Sequence, residues 1–280
     1  MTNLNCSEQN LYVFSSGGGV QSTAALVLSA NRKINYPIHV FANVGDRAEN
    51  PKTIDYINNF LKPYAAANNI LWVDICRRTK NGSPVDLLDT IEQKTNSIPI
   101  PVRMSGSGAP GNRVCTVDFK IKPVAKYLKG LAKENPTKRI ILGKGISIDE
   151  ARRAKPESGF PHYDVAYPLI DLQLNRLDCF DIIRKAGLPP APKSSCWFCP
   201  YKNKRNWQEM RDYNLKFTEA VALEKMLHQR SVDLGRGGCY FTSTGTSKEL
   251  FLDEVTSPHF QGDLFHGFDD QECDSGYCWV

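Results

Sequence analysis

The sequence lacks the segments that would place it in a membrane or direct it out of the cell. No apolar run among its 280 residues reaches the roughly 18 that a helix needs to cross a bilayer. Residues 1–10 are polar and lack the apolar stretch of a secretory signal. We therefore expect a soluble, cytoplasmic protein without a membrane partner.

Complete disulfide pairing is excluded by the cysteine count. The chain has nine cysteines, an odd number, and no export signal, so reduced thiols or metal ligands are expected. The five histidines show no spacing typical of a metal site. A net charge of +5 fits a polyanionic partner, but it also fits an ordinary enzyme.

What the sequence does contain is an alternation of short apolar runs with helical patterns. Such an alternation favours right-handed βαβ units, and so an α/β fold with a parallel, twisted sheet and helices on both faces. The strands are predicted at residues 11–14, 38–42, 70–75, 139–143 and 164–167. Because the pattern changes after a Pro-rich stretch, we expect a nucleotide-binding α/β domain at 1–188 and a Cys-containing, helical or irregular extension at 189–280.

A glycine-rich turn separates the first predicted strand from the first predicted helix. It reads Ser16-Gly17-Gly18-Gly19, preceded by Ser15 and followed by Gln21 and Ser22. Glycines let the backbone approach a ligand, and the first amides of a helix favour a phosphate, to which the serine hydroxyls would add hydrogen bonds. The turn has neither the lysine of a P-loop nor a G-x-G-x-x-G pattern. It is either a phosphate loop, which a side chain at Gly18 would block, or a flexible turn with a capping serine.

This turn is similar to the fingerprint of the PP-loop superfamily, the adenine-nucleotide α-hydrolases, which is Ser-Gly-Gly-x-x-Ser after the first strand. The turn here is one residue longer, and Gln21 stands where ATP-hydrolysing members usually carry Asp. Three further segments resemble the phosphoadenylyl-sulfate (PAPS) reductase branch of that superfamily. They are Asn43-Val44-Gly45-Asp46, Arg113-x-Cys115-Thr…Lys120-x-Lys122-Pro123, and Gly145-Ile146-Ser147-Ile148-Asp149-Glu150 with Arg152 and Arg153.

The resemblance implies a fold, a ligand and a site. It implies a sheet of the adenine nucleotide α-hydrolase type that binds ATP or PAPS at its carboxyl edge. Lys120 is expected to act in catalysis by neutralising a triphosphate or phosphosulfate. The nucleotide is expected to contact Ser15, Ser16, Gly17, Gly18, Gly19, Gln21, Ser22, Asn43, Asp46, Arg113, Gly145, Ile146 and Arg152.

Four cysteines are candidates for one metal site. Cys196 and Cys199 form a C-x-x-C pair closed by proline, which suits a metal ion, a cluster or a redox pair. Cys115 and Cys179 could complete four thiolates. In the resembled branch, adenylyl-sulfate reductases and phosphorothioate-DNA enzymes hold a [4Fe–4S] cluster through cysteines in similar places. Structural zinc and no metal are the alternatives, and without Cys179 three thiolates would leave one iron open.

Three less regular segments carry further predictions. Residues 98–114, with several prolines and glycines, are expected to form a lid. The basic run 202–205 could follow a nucleic-acid backbone or begin a solvated helix. Cys273 and Cys278 are expected to be catalytic thiols that attack sulfur or carry a persulfide, the alternative being a tail with incidental thiols.

These predictions support two enzyme functions and one non-enzymatic function. In the first, ATP adenylates a substrate oxygen, and sulfur is delivered to a nucleic acid or nucleobase, with a cysteine desulfurase or a thiol reductant as the source of sulfur or electrons. In the second, PAPS or adenylyl sulfate is itself reduced, and Cys273 or Cys278 releases sulfite. The third is a nucleotide-binding module with structural zinc.

Overall fold

The computed structural model describes residues 9–154, 162–213, 215–242 and 249–257. Its strands are β1 Asn10–Ser16, β2 Ile38–Asn43, β3 Leu71–Cys76, β4 Arg103–Met104, β5 Arg139–Lys144, β6 Tyr163–Ala166 and β7 Cys239–Tyr240. Its helices are α1 Val20–Ala30, α2 Pro51–Tyr56, α3 Lys62–Ala67, α4 Leu87–Gln93, α5 Val114–Thr116, α6 Lys122–Glu134, α7 Pro168–Asp171, α8 Arg176–Lys185, α9 Lys204–Asp212, α10 Phe217–Asp233 and α11 Leu252–Val255. π-helical turns at Ile57–Leu61 and Val117–Ile121 join α2 to α3 and α5 to α6, and a 3-10 helix covers Ile148–Arg153. No helix within these ranges is both long and apolar enough to cross a bilayer.

Five strands form one parallel sheet in the order β3-β2-β1-β5-β6. The predicted α/β class with a parallel sheet is confirmed, and each of the five strands lies close to its predicted position. β1 is central, because the chain proceeds to β2 on one side and later returns to β5 on the other. Ligands of open parallel sheets bind at the carboxyl ends, where the strand order switches in this way. In this sheet that position lies between β1 and β5.

Each face of the sheet carries helices, because neighbouring side chains of β1 point to opposite faces. Phe14 packs with α1 and α8 through Ala24 and Ile183. Val13 packs on the other face, with α6 through Leu128. All of these side chains are buried, and burying one large apolar side chain stabilises the fold by roughly 1.5–3 kcal/mol. The two apolar layers fix α1 so that it starts above the carboxyl edge of β1.

The C-terminal part of the chain shares its core with segments from the first half. Trp207 of α9, Leu227 of α10 and Phe241 are buried in one cluster with side chains of α4 and with Ile100. β4 also pairs with β7 in an antiparallel ladder. Residues from both sides of position 188 therefore build the core cluster that contains Trp207. A boundary near residue 188 does not divide the chain into parts with separate cores.

The segment predicted to be a lid is partly core. Ile100 and Val102 are each 2% exposed. The amide of Ser105 donates to Gly238 O at 2.9 Å, on the far side of the β4–β7 ladder. Prolines and glycines let this backbone follow an irregular path, but its apolar side chains still gain burial. Residues 98–105 therefore anchor the C-terminal part, and they do not form a lid.

A buried carboxylate fastens two later segments to α10. Glu224 is 0% exposed, and its two oxygens accept hydrogen bonds from Phe241 N at 2.6 Å and from Leu252 N at 2.7 Å. Burial raises the pKa of Glu224 to about 7, although the two hydrogen bonds oppose the rise. Burial therefore favours the protonated carboxyl in the folded chain.

We expect Glu224 to make the folded state less stable as the pH rises from about 4.5 to about 7. In this window the unfolded chain releases the Glu224 proton and the folded chain retains it, so folding binds a proton and weakens with rising pH. The loss amounts to roughly 3 kcal/mol. Urea unfolding of the wild type and of Glu224→Gln, measured across this pH range, isolates the effect because glutamine does not titrate. A stability difference between the two proteins that stays constant with pH would contradict the prediction.

Candidate nucleotide and cysteine site

The glycine turn connects β1 to the start of α1 at the position where the strand order switches. Gly18 has φ +73°, and a Cβ there would lie 2.9 Å from both Ile57 and Thr53. The expectation that a Gly18 side chain blocks the ligand is thus corrected, because that side chain would collide with the protein itself. Gly19 precedes α1 without a side-chain cap, and the first turn of α1 holds no acidic residue. The first amides of α1, which have no partners within the helix, are therefore suited to an external anion.

Residues 189–195, which we call the strap, pass beside the glycine turn. A Cβ on Gly19 would lie 2.5 Å from Ser194 Oγ. Two side chains of α2 donate hydrogen bonds to carbonyls of the strap. Thr53 Oγ1 donates to Lys193 O at 3.3 Å, and Tyr56 Oη donates to Pro189 O at 2.7 Å. Cys196 follows Ser194 by two residues, and two residues of chain span at most about 7 Å. The strap therefore brings the cysteine pair close to the glycine turn.

Two of the three predicted serine side chains near the turn are engaged within the protein. Ser16 Oγ lies 2.8 Å from Nδ1 of the buried His39, and burial lowers the pKa of His39 to about 3, which keeps the ring neutral. Ser22 Oγ donates to Gly19 O at 3.1 Å. Ser15 Oγ is buried without a hydrogen-bond partner in the described part of the chain. Backbone amides, more than the predicted hydroxyls, are the donors that this turn offers.

Gln21 connects the first turn of α1 to the segment after β5. Its Nε2 donates to Ser147 Oγ at 3.5 Å and to Glu150 Oε2 at 3.4 Å. Its Oε1 accepts from Arg176 Nη1 of α8 at 3.5 Å. The side-chain amide of Gln21 thus donates on one side and accepts on the other. An ionised carboxylate at this position could accept from Arg176, but it could not donate to Glu150. Gln21 is therefore an uncharged residue that connects the start of α1 to α8 and to the segment after β5.

The segment after β5 contributes a buried ion pair that the sequence analysis missed. Arg153 Nη1 lies 2.6 Å from Glu150 Oε2, and Arg153 is 4% exposed. Burial raises the pKa of Glu150, and Arg153 opposes that rise. The predicted Arg152 is instead exposed. Because Arg152 and Arg153 are adjacent in one turn, the sequence alone does not show which of the two side chains faces inward.

The predicted residues 145 and 146 lie against the start of α1. A Cβ on Gly145 would come within 3.4 Å of Gln21 Cβ and of Ser22 N, so a larger residue would press on the helix start. Ile146 is buried. Lys144, which the sequence analysis also missed, is the last residue of β5, is 7% exposed and pairs in register with Ser15. The switch point therefore contains a buried cation beside the glycine turn.

The loop after β2 is rigid and lies at the same carboxyl edge. Asn43 Oδ1 accepts from Gly45 N at 2.8 Å, and Asn43 Nδ2 donates to Asp46 Oδ1 at 2.8 Å. Gly45 has φ +126°, and the Asp86 carboxylate occupies the place where a Cβ would be. Asn43 and Asp46 thus lie at the carboxyl end of β2, next to the strand that leads into the glycine turn.

Three of the predicted cysteines occupy one region. Cys115 and Cys196 both pack against the core cluster that contains Trp197 and Phe198, and Cys199 N donates to Cys196 O at 3.2 Å. The thiols of Cys115 and Cys199 and the ammonium of Lys120 all act electrostatically on Cys196. Burial raises the pKa of Cys196 well above its ordinary value, and Lys120 opposes the rise. Lys120 therefore lies with the thiols, on the π-helical turn after α5.

Cys179 does not lie with the other three thiols. It is 0% exposed and packs with Phe14 and Ala24 in the layer between the sheet and α1. The charges that act on it are those of α8 and the segment after β5, and burial raises its pKa to about 12. The predicted four-thiolate site is thus corrected to three thiols, because α8 turns Cys179 towards α1.

The three cysteines provide the type of ligand that an iron–sulfur cluster requires. Thiolates are the usual ligands of such clusters, and the apolar wall of Trp197 and Phe198 limits access of water. The ammonium of Lys120 offsets part of the negative charge. No three His, Cys, Asp or Glu side chains in the described ranges form a group that could hold a single metal ion. Cys115, Cys196 and Cys199 share one region, but they do not form such a group.

The basic run after the cysteine pair begins with a buried lysine, and helix α9 starts within the run. Lys202 is 6% exposed, and its Nζ donates to Ser195 Oγ at 2.7 Å and to Cys196 O at 2.9 Å. Arg113, predicted to grip the nucleotide, lies over the ring of Tyr201 at 5.7 Å. Both cations therefore surround the cysteine pair. Cys273 and Cys278, the predicted catalytic thiols, lie outside the described residues.

No family model matches the chain, and no curated protein matches it at a significant level. The PP-loop resemblance stays an expectation that depends on the motifs described above.

Proposed function

We propose that the chain is a cytoplasmic, adenine-nucleotide-dependent sulfur-transfer enzyme of the PAPS reductase-like branch of the PP-loop superfamily. The observation that carries the proposal is the glycine turn at the switch between β1 and β5, where α1 starts without a side-chain cap. In support, Ser194 of the strap lies beside that turn, and Cys196 follows Ser194 by two residues. A phosphate site and a thiol site on one sheet edge are what such an enzyme requires.

In this proposal the phosphates of ATP lie on the amides of residues 17–20. The dipole of α1 and the buried Lys144 favour their negative charge. An oxygen of the acceptor attacks the α-phosphorus, and pyrophosphate leaves. A sulfur nucleophile then attacks the activated carbon, and AMP departs with the oxygen. The acceptor is a nucleotide or nucleic acid, and the sulfur comes from a cysteine desulfurase or a comparable donor.

Cys115, Cys196 and Cys199 are the residues that would hold a [4Fe–4S] cluster. When bound, a cluster with three protein ligands supplies one open coordination position for the sulfur that is transferred. The protein's own part is to exclude water with Trp197 and Phe198 and to place Lys120 beside the thiolates. Zinc in the same place would make the site structural.

Gln21 favours a second candidate, the reduction of PAPS or adenylyl sulfate. A neutral amide held by Arg176 and Glu150 offers no charge to the magnesium ion that accompanies ATP. In this reaction a thiolate of Cys273 or Cys278 attacks the sulfate sulfur, and the nucleotide phosphate leaves. A second thiol then attacks the bound cysteine sulfur, so that sulfite departs and a disulfide forms. An external thiol reductant restores both thiols.

Product analysis under anaerobic conditions separates the candidates. Pyrophosphate released from ATP, with AMP formed when an acceptor is present, supports sulfur transfer after adenylation. Sulfite released from PAPS with a thiol reductant supports reduction. If neither nucleotide binds, the glycine turn is only structural and both enzyme functions fail. If a nucleotide binds without turnover and zinc co-purifies, the non-catalytic module is favoured.

A further inference from the structure

An open cavity of about 580 Å³ lies between α6 and the edge strand β3, apart from the glycine turn. Its wall is formed by residues 74–78 at the carboxyl end of β3 and by one stripe of α6 that runs from Lys122 to Glu134. The stripe has apolar and aromatic members, among them Tyr127 and Leu131. A volume of this size is typical of small-molecule sites, which commonly measure about 300–1,000 Å³.

A glycine in the middle of α6 keeps the cavity open. Gly130 lines the cavity, and a Cβ added there would meet no atom within 4 Å. Neither backbone strain nor crowding therefore requires glycine at this position. Glycine within a helix nevertheless costs roughly 0.5–1 kcal/mol relative to alanine. Glycine at this position leaves that part of the cavity wall without a side chain.

The cavity wall carries both signs of charge, with the cations Arg77, Arg78, Lys122 and Lys126 against the carboxylates Asp74, Asp118 and Glu134. Asp74 also pairs with Lys62, so the cations are in slight excess. Arg77 and Lys122 share the carboxylate of Asp118, at 3.5 and 2.7 Å. Arg77 is also fixed over the ring of Phe119 at 4.9 Å. Lys126 adds a further ammonium on the same stripe of α6. The wall thus combines an apolar floor with prearranged cations, which matches a planar aromatic group that carries a phosphate.

We propose that this cavity is a second site, which binds a nucleoside phosphate as the acceptor, with the base on Tyr127 and Leu131 and the phosphate on Arg77, Lys122 and Lys126. The ligand is either a free mononucleotide or a nucleotide within a single strand, and both share this chemistry. Binding itself is independent of the glycine turn, and only the role as acceptor depends on the proposed function.

Four variants of α6 test the site. Gly130→Phe fills the cavity, whereas Gly130→Ala removes the helix cost and leaves most of the space. Lys126→Glu reverses a charge on the wall, and Lys129→Glu reverses an exposed charge of the same helix outside the wall. The probes are thymidine monophosphate and a short single-stranded thymidine oligonucleotide, because neither contains the adenine expected at the glycine turn. Dissociation constants are measured by calorimetry and fluorescence anisotropy at one fixed salt concentration.

We expect Gly130→Phe and Lys126→Glu to weaken binding at least about tenfold, while the two matched controls stay within about twofold of the wild type. Equal binding of both probes identifies a mononucleotide site, and binding of the oligonucleotide alone identifies a strand. Equal binding by all variants, equal weakening by Lys129→Glu, or no binding of either probe to the wild type overturns the proposal. The thermal shift with ATP, measured on the same variants, reports the glycine turn separately, so either proposal can fail alone.

Discussion

Replacing Gly17 by valine is expected to abolish the thermal stabilisation of the protein by ATP or PAPS without unfolding it. The backbone at Gly17 does not need a positive φ, and a Cβ there would lie 3.7 Å from Ser194 Oγ, an ordinary contact. We expect the two methyl groups of valine to extend beyond this contact, over the turn. There they would exclude a phosphate from the first amides of α1.

The size of this effect follows from ligand linkage. A ligand at about 100 times its dissociation constant stabilises the folded state by roughly 2.7 kcal/mol. For a protein of this length that corresponds to a shift in Tm of roughly 5–10 °C. Scanning calorimetry of the wild type and of Gly17→Val, each with and without saturating ligand, measures it. A full shift retained by Gly17→Val would mean that the nucleotide binds elsewhere or not on these amides.

Gly18→Ala is the matched control for this experiment. Its Cβ would crowd Ile57 and Thr53 in a backbone conformation that disfavours side chains. The unliganded protein should therefore melt at a lower temperature, while Gly17→Val should melt near the wild type. The pair separates loss of a ligand site from loss of the fold. Equal destabilisation of both variants would mean that Gly17 is also structural.

Local features of the sequence were sufficient to predict the sheet and the turn. Apolar runs such as that of β1 are short and bounded by glycine, and a run of three glycines before a helix has few other uses. The expected positions of Asn43 and Gly145 at the same edge followed from parallel strands, whose carboxyl ends meet there. These inferences depend only on neighbours in the chain and on the rules of parallel sheets.

Predictions that depended on which way a side chain faces were less successful. Cys179 could be joined to the other cysteines in sequence, but the packing of α8 on α1 buries it in another layer. Lys202 looked like a surface cation, yet the fold of the cysteine segment encloses its ammonium. Arg153, not Arg152, forms the buried ion pair. Each outcome is decided by tertiary packing, for which a single sequence carries little signal.

Removal of any one of the three converging thiols is expected to cause loss of most bound iron, whereas removal of Cys179 is not. Cys115→Ala, Cys196→Ala and Cys199→Ala each leave only two thiolates, too few to retain a cluster through dilution and purification. Cys179→Ala removes a buried sulfur from the α1 layer, so it should lower the stability modestly and leave the iron content unchanged.

The measurement is iron and zinc content together with visible absorption after anaerobic purification. The Cys179→Ala variant makes the result specific, because it controls for the general effect of deleting a thiol. Zinc in place of iron would retain the three-thiol site but remove its role in sulfur transfer. Loss of iron in Cys179→Ala equal to that in the other three would require α8 to shift towards Cys196, contrary to the layer that Cys179 occupies here. Nucleotide binding in the iron-free variants would further show whether the turn and the thiol region act independently, since the strap runs from one to the other.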